Sequence, residues 1–293
     1  MRWSRTGRES DLEDRRGASG GRGGLGGGGL GRLPAAGGGL GIVGVLIVLA
    51  IQLLGGGSGF SVPSGFDGST QAPASDPIPA SQDPDKDLRD FSLYVFSDVQ
   101  DTWTRTFQDA GHSYDRAKLV LYRGGTDTGC GFGQAATGPF YCPADQRVYL
   151  DLSFWNEMER TLQAPGDFAW AYVVAHEVGH HVQNLLGTSD EVNQLRRKNP
   201  GDGNTLSVRL ELQADCYAGV WARSVFDQLQ DGDIEEAMRA SQSVGDDRLQ
   251  RSAGQRVNPD TFTHGSSAQR LKWFKRGSSR GEPADCDTFS GDV

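Results

Sequence analysis

An uncharged apolar segment divides this chain of 293 residues into two unequal parts. Residues 40–54 read LGIVGVLIVLAIQLL, in which Gln52 is the one polar side chain, and flanking glycines extend the uncharged stretch. The whole stretch reaches about 20 residues, the length of helix that crosses the hydrocarbon core of a bilayer. We therefore predict one transmembrane helix over residues 38–57, in contact with the lipid bilayer.

The charges on either side of this segment predict its orientation. Seven arginines precede it, whereas the first charge after it is Asp67. Because lysine and arginine are enriched on the cytoplasmic side, we predict a single-pass protein of the cell (inner or plasma) membrane, with a cytoplasmic N-terminus and an extracytoplasmic domain. A cleaved signal peptide is the alternative, but the region before the apolar segment is long for one and no clear cleavage site follows. The glycine-rich flanks disfavour a buried globular helix.

Composition assigns the rest of the chain to three regions. Residues 1–37 are rich in glycine and predict a disordered cytoplasmic tail, and residues 58–85, rich in Gly, Ser and Pro, predict a flexible linker. Nearly all Trp, Tyr and Phe residues lie in residues 86–293, which suffice for one domain with a buried core.

The net charge differs between the two parts of the chain: residues 1–54 carry a net charge of +3, and the remainder carries −12. A domain that acidic binds nucleic acid poorly, so we expect no nucleic-acid partner.

The spacing of apolar residues within the domain indicates an α+β fold that is mainly helical with a small sheet. It predicts helices at 86–110, 153–162, 168–186, 204–228, 233–243 and 267–275, and strands at 118–122 and 147–151. Asp167 is the expected cap of the third helix, and Gly187 is expected to end it. Between 187 and 203 the sequence predicts a polar loop.

All four cysteines lie on the predicted extracytoplasmic side, where disulfides form. None belongs to a CxxC motif, so a cysteine zinc site has little support. Cys130 and Cys142 bracket a loop rich in glycine, which favours a bond between them. A bond between Cys216 and Cys286 is open at this stage, as is a free Cys216 buried on a helix.

The clearest chemical motif is the HExxH at residues 176–180, in a stretch that predicts a helix. Residues four apart share one helix face, so His176 and His180 can aim imidazole nitrogens at one metal ion. Glu177 stands beside them as the candidate general base. Two histidines with an adjacent carboxylate make up most of a zinc hydrolase site. The structural alternative is a surface helix whose histidines bind nothing.

A catalytic zinc ion needs a third protein ligand from elsewhere in the chain. Glu211 and Asp215 lie four residues apart, on a helix face that is otherwise apolar. Burying them there is costly unless each carboxylate has a partner. We predict that zinc is the partner of Glu211, and that a ligand histidine donates its other N–H to Asp215. The alternative is an ion pair between Glu211 and Arg209.

HExxH followed by a helix with ExxxD resembles the gluzincin zinc peptidases, in which two histidines and one glutamate hold the metal. Five sequence blocks spread between residues 13 and 270 resemble the bacterial neutral zinc metallopeptidase family, and the similarity extends over almost the whole chain. These blocks are EDRRG (Glu13–Gly17), GPFYCPADQRVYLD (Gly138–Asp151), HEVGHHVQ (His176–Gln183), ELQADCYAGVWA (Glu211–Ala222) and THGSSAQR (Thr263–Arg270). The loop before Glu211 differs in length from that of thermolysin, so only the active-site pattern is carried over.

The resemblance implies a zincin-like metallopeptidase domain with one Zn²⁺ ion. It implies the metal ligands His176, His180 and Glu211. Glu177 would then be catalytic as the general base, and Asp215 would support a ligand histidine.

Two further histidines lie near this pattern. His264 resembles the loop histidine that stabilises the oxyanion in such peptidases, and we expect it to be catalytic. Its alternative is a solvent-exposed loop residue. His181 is rotated by about 100° from His180 on a helix, so we expect it to miss the metal and to pack or hydrogen-bond nearby.

The sequence therefore predicts a membrane-anchored zinc metallopeptidase, a hydrolase that cleaves a protein or peptide substrate through metal-activated water and Glu177. In such peptidases an edge strand before the active-site helix pairs with the substrate backbone. The strand at 147–151 is a candidate for that role, beside an ordinary structural one. The alternative function is a non-catalytic zinc-binding or scaffold protein of the envelope. Glu177 argues against it, because metal binding alone does not need this residue.

Overall fold

The computed structural model describes residues 1–17, 78–79 and 81–293 of the chain. These residues are mainly helical with small sheets, which confirms the expected α+β class. The helices are α1 (Lys86–Asp109), α2 (Phe154–Arg160), α3 (Asp167–Leu185), α4 (Thr188–Lys198), α5 (Gly203–Ser224), α6 (Asp233–Ser243), α7 (Asp246–Ser252) and α8 (Ser267–Arg280). Short 3₁₀ helices lie at Glu9–Asp11, Ala135–Thr137, Pro200–Asp202, Phe226–Gln228, Pro259–Thr261 and Pro283–Cys286.

Two sheets accompany the helices. Their strands are β1 (Leu12–Asp14), β2 (Lys118–Tyr122), β3 (Gly125–Thr128), β4 (Gly131–Gln134), β5 (Phe140–Cys142) and β6 (Arg147–Asp151). The larger sheet has the order β1-β2-β6-β5, in which only the β5–β6 pair is antiparallel, and β3 with β4 forms a separate antiparallel hairpin. The strands predicted at 118–122 and 147–151 are therefore confirmed. However, β6 is paired on both sides, so the edge position that we considered for it belongs to β5.

Helix α3 lies at the centre of the domain, packed against α1, α5 and α6. Its first half is almost entirely apolar, and large aromatic side chains such as Trp170 and Phe168 are fully buried there. Helices α5 and α8 approach each other closely, since a Cβ added at Gly277 would lie 2.0 Å from the Cys216 carbonyl oxygen. This packing fixes α5 and α8 relative to the central helix.

Both cysteine pairs are disulfides. Cys130 is bonded to Cys142, which ties the β3–β4 hairpin to strand β5. Cys216 on α5 is bonded to Cys286, just after α8. The alternative of a free Cys216 is thereby excluded.

Helix α4 occupies residues that we expected to form a polar loop. Gly187 does end α3, with a left-handed backbone at φ 78°, but a second helix begins at the next residue. Val192 is its one fully buried side chain, so the apolar periodicity that reveals a packed helix is missing. The cap of α3 also differs from expectation, because Gly166 occupies that position and Asp167 is the first helical residue.

Residues 1–17, which we call the N-terminal segment, belong to the folded domain. Strand β1 pairs in parallel with β2, with Leu12 opposite Leu119, and the Trp3 ring lies 5.2 Å from that of Phe91. We expected a disordered tail over residues 1–37, and for this segment the structure corrects that expectation. The partner strand lies more than 100 residues away in sequence, so no local pattern announces the pairing.

Ion pairs also join the N-terminal segment to the domain. The Arg16 guanidinium is buried and bonds both Asp14, at 2.6 Å, and Asp83, at 2.7 Å. The Met1 nitrogen lies 2.8 Å from Asp167 and 3.2 Å from Asp233, at the starts of α3 and α6. A positive group thus sits among carboxylates that would otherwise repel one another.

The predicted transmembrane helix over residues 38–57 lies outside the described residues. No helix within the described ranges is long and apolar enough to cross a bilayer.

Candidate metal centre

Helix α3 brings His176 and His180 to one face. Their rings are nearly perpendicular, with centroids 4.8 Å apart. His176 is almost fully buried and His180 is about one-fifth exposed, so both lie at the base of a cleft rather than on an open surface. The four-residue spacing of the motif therefore has the consequence that the sequence predicts.

Helix α5 supplies the third member of the group. Oxygens of the Glu211 carboxylate lie 3.3 Å from Nε2 of His176 and 3.4 Å from Nε2 of His180. One donor atom of each residue lies within 4.8 Å of the other two, a cluster able to hold a metal ion. We call these three residues the metal triad. Arg209, the alternative partner of Glu211, instead donates to the backbone oxygens of Thr288 and Gly291.

Close packing of α3 on α5 sets this geometry. Gly179 lies inside the HExxH motif and faces Ala214 of α5. A Cβ at Gly179 would lie 3.1 Å from the Ala214 carbonyl oxygen and 3.2 Å from its Cα. These contacts are tighter than side-chain carbons normally make, so glycine allows Glu211 to approach the histidines.

Both triad histidines have a partner for the ring nitrogen that faces away from the cluster. Nδ1 of His176 lies 2.9 Å from Asp215, and Nδ1 of His180 lies 2.9 Å from Oε1 of Gln183. The Gln183 amide is itself fixed, because its Nε2 donates to the Leu210 carbonyl at 2.7 Å. Acceptors at Nδ1 favour the tautomer in which Nε2 carries the free lone pair. Both lone pairs then point into the triad.

The electrostatics of the triad favour a positive charge at its centre. Burial lowers the pKa of His176, but hydrogen bonds with Asp215 and Glu211 outweigh it and raise the pKa to about 9. Burial likewise raises the pKa of Glu211, yet the charge of His180 and both histidine hydrogen bonds hold it well below its usual range. Either a bound proton or a divalent cation can supply this positive charge. Two imidazoles and one carboxylate are ligands that suit zinc.

Asp215 is held on more than one side. Arg270, in the first turns of α8, donates to both of its oxygens at 2.8 Å, and the Tyr172 hydroxyl donates to one of them. Burial raises the pKa of Asp215, but the charge and hydrogen bonds of Arg270 outweigh burial, so the pKa lies below its usual value. The sequence predicts Asp215 beside a ligand histidine, and the structure identifies that histidine as His176. It does not predict Arg270, whose place in the THGSSAQR block is its only signal.

His264 lines the same cleft from the loop before α8. Asp246, at the start of α7, accepts backbone N–H groups of Thr263, His264 and Gly265 and lies 3.2 Å from Nδ1 of His264. Burial lowers the pKa of His264, but the hydrogen bond with Asp246 and the charge of Glu211 outweigh burial, so the pKa is raised overall. These hydrogen bonds fix the loop, and His264 lines the cleft that contains the triad.

Glu177 lies beside the triad in a cleft of about 350 Å³. Its carboxylate is nearly buried, yet it makes no hydrogen bond or ion pair with any part of the chain that the structure describes. Burial raises the pKa of Glu177, and the positive charges of His176 and His180 offset this only in part. An unpartnered carboxylate with a raised pKa is what a general base requires.

His181 is directed away from the triad, as its position on the helix predicts. Its Nδ1 lies 3.0 Å from the Tyr141 hydroxyl and its Nε2 lies 2.6 Å from the Asp115 carbonyl oxygen. Gln183 was not predicted, although its position three residues after His180 places it on the same helix face and is a usable signal.

The zinc hydrolase class includes sites in which two histidines and one glutamate are the metal donors. The base of this cleft has those three donors, with a free carboxylate beside them. The chain belongs to the family described as "Putative neutral zinc metallopeptidase", which it matches over residues 1–289. That family description implies zinc and a protein or peptide substrate.

Relatives of the chain have no described activity in their names. The chain is 47% identical to "Uncharacterized protein YpfJ" of Escherichia coli (strain K12) over 296 residues, which is 100% of both chains. It is 46% identical over 190 residues to "Uncharacterized protein Rv2575" of Mycobacterium tuberculosis (strain ATCC 25618 / H37Rv), covering 60% of this chain and 64% of the relative. No solved structure matches the chain.

Proposed function

We propose that this protein is a zinc-dependent peptidase that hydrolyses peptide bonds with a single Zn²⁺ ion and Glu177 as general base. The observation that carries the proposal is the convergence of the metal triad beside an unpartnered Glu177 in one cleft. His176, His180 and Glu211 would hold the ion. When bound there, zinc supplies a Lewis acid for the substrate carbonyl and lowers the pKa of water.

The protein's own groups have separate tasks in this proposal. Glu177 accepts the proton of the attacking water and returns it to the leaving amine. The His264 imidazole donates a hydrogen bond to the oxygen of the tetrahedral intermediate. Asp215, fixed by Arg270, orients the His176 ring.

We propose that the substrate backbone adds to strand β5 rather than to β6. β5 is at the edge of the larger sheet, and Phe140 and Tyr141 within it line the cleft. The free edge of a strand offers N–H and C=O groups to an extended peptide. A cleft bounded by an edge strand and by the HExxH helix is the arrangement expected of a zincin-like domain.

The second candidate is a zinc-binding or scaffold protein without catalysis. An unpartnered carboxylate beside the triad disfavours it, because a purely structural zinc site is closed by its ligands. The test measures cleavage of an unstructured protein before chelation, after chelation and after zinc is restored. We expect cleavage that disappears and returns with zinc. Stoichiometric zinc without any cleavage would favour the scaffold.

We further propose that residues 38–57 attach the protein to the cell membrane, with the domain on the extracytoplasmic side. The two disulfides support that side, because such bonds persist outside the cytosol. A docked N-terminal segment lies on the same side of the membrane as the domain. Residues 38–57 then cannot cross the membrane once with a cytoplasmic N-terminus, so docking and a single crossing are alternatives. Labelling of Ser4→Cys and Ser290→Cys with an impermeant maleimide in intact cells distinguishes them. Labelling at both positions supports docking, and labelling at Ser290→Cys alone supports the single crossing.

A further inference from the structure

Helix α4 forms one wall of the candidate active-site cleft. Ser189, Asn193 and Arg196 of this helix line the cavity that contains the metal triad. They are four and three residues apart, so they share one helix face. The wall that they form is polar, and its one charge is the Arg196 guanidinium.

Among the residues that the structure describes, Arg196 has no hydrogen-bond or ion-pair partner. Its Nε is buried without a hydrogen bond, and the side chain forms no ion pair within the described residues. Other arginines near the cleft are used internally, since Arg270 bonds Asp215 and Arg209 bonds two backbone oxygens. A partly buried guanidinium that lacks acceptors is unfavourable, so its neighbourhood is suited to a ligand that brings an acceptor.

The surroundings of Arg196 specify the charge of that ligand. Burial lowers the pKa of Arg196, and the charge of Glu211 opposes this. However, the Glu211 oxygens are already committed to the two triad histidines, at 3.3 and 3.4 Å. The positive charge of Arg196 therefore faces the cleft without a dedicated anion. Much of the remaining lining is apolar, with Phe154, Leu162 and Leu249 among it.

We propose that Arg196 binds a carboxylate of the peptide substrate close to the scissile bond. A guanidinium offers paired N–H donors in the geometry that a carboxylate accepts, and it keeps its charge at neutral pH. The carboxylate comes from an Asp or Glu side chain or from a free C-terminus. This inference rests on the proposed peptidase function, and it assigns that site a substrate class. Arg196 is a specificity residue that contacts substrate and takes no part in proton transfer.

The test uses the full zinc-loaded chain and a set of matched peptides. One arm compares Glu with Gln at each position around the cleaved bond, and the other compares a free C-terminus with an amide. We expect kcat/KM to be about tenfold higher for one carboxylate peptide than for its neutral match, with the difference mainly in KM. The arm that shows the preference identifies the source of the carboxylate.

Variants then assign the preference to Arg196. Arg196→Gln should lower the ratio of kcat/KM values between the carboxylate and neutral peptides about tenfold, towards one. Arg196→Lys, which keeps the charge but loses the paired donors, should lower it less. Arg197→Gln is the matched control, because Arg197 is exposed on the same helix and does not line the cleft. Equal cleavage of both peptides by the unmodified protein, or an unchanged ratio in Arg196→Gln, would overturn the inference.

Binding separates this inference from the proposed function. Fluorescence anisotropy of the same peptides with Glu177→Gln, and with that variant combined with Arg196→Gln, measures affinity without turnover. We expect about tenfold weaker binding of the carboxylate peptide when Arg196 is also replaced. If no peptide is cleaved but this difference appears, the peptidase function fails and the carboxylate site stands. If peptides are cleaved but the difference is absent, the carboxylate site fails alone.

Discussion

The metal triad and the Arg16 cluster of the N-terminal segment are both buried, and both combine carboxylates with positive or metal-binding groups. In the Arg16 cluster each donor has an acceptor, because Asp14 and Asp83 take the guanidinium from two sides. In the metal triad one ligand atom of each of three residues lies within 4.8 Å of the other two, and Glu177 beside them has no hydrogen-bond or ion-pair partner among the described residues. A polar cluster whose donors and acceptors all bond one another stabilises the fold. A cluster whose ligand atoms converge beside an unpartnered carboxylate is suited to metal binding and catalysis.

The largest effect on stability is expected from the satisfied cluster. Arg16→Ala removes the buried guanidinium that bonds the nearly buried Asp83 carboxylate at 2.7 Å, which should lower the free energy of unfolding in urea by about 3–5 kcal/mol. Arg5→Ala removes the ion pairs that a half-exposed arginine makes with Asp87 and Asp90, which should cost about 1 kcal/mol or less. The zinc content of folded Arg16→Ala protein should not change. Loss of zinc in this variant alone would show that the N-terminal segment also supports the metal triad.

The stability that the metal triad contributes should depend on bound zinc rather than on ion pairs within the triad. Zinc at 100 to 1,000 times its Kd would stabilise the folded state by about 3–4 kcal/mol. For a protein of this size, chelation should therefore lower the Tm by about 5–15 °C. Glu211→Ala should melt at the same temperature with and without the chelator in differential scanning fluorimetry. A chelator response that survives this substitution would contradict the assignment of Glu211.

Asp215 connects the two kinds of cluster, because it is fully paired and yet touches a triad histidine. Asp215→Asn should weaken zinc affinity about 10- to 100-fold in a competition titration with a chelator. Asp231→Asn, at an exposed loop position, is the control that should leave the affinity as it is. An affinity equal to that of the control would mean that Asp215 supports the fold alone.

The smallest effect is a loosening of the N-terminal segment by acid. Burial raises the pKa of Asp83, but the hydrogen bond from Arg16 outweighs it and the pKa is lowered overall. A lowered pKa in the folded state means that the contribution is present above the unfolded pKa, about 4, and is lost as the pH falls through the folded value. The protection of the β1 amides against hydrogen exchange, measured relative to their intrinsic exchange rate, should therefore fall below about pH 4. Protection in α3 should fall only at lower pH. In Arg16→Ala the exchange should be fast already at neutral pH, and a pH step retained there would exclude Asp83 as its cause.

The same contrast explains which features the sequence predicts. HExxH and ExxxD are local patterns on helices, so their spacing alone places His176 near His180 and Glu211 near Asp215. The N-terminal segment depends on a parallel strand pair between residues more than 100 positions apart, and no local pattern encodes that register. Helix α4 was missed because it buries little apolar surface, and the position of Arg196 in the wall of the cleft was missed with it. Long-range pairing and solvated helices are therefore the parts that needed the structure.

Replacement of Glu177 by Gln tests the central claim most directly. The amide has the size of the carboxylate but accepts no proton, so the variant should keep about one zinc ion per chain while cleavage of an unstructured protein falls about 100- to 10,000-fold. Glu235→Gln, on the exposed face of α6, is the control and should retain both zinc and cleavage. Cleavage at the full rate by zinc-loaded Glu177→Gln would contradict the account.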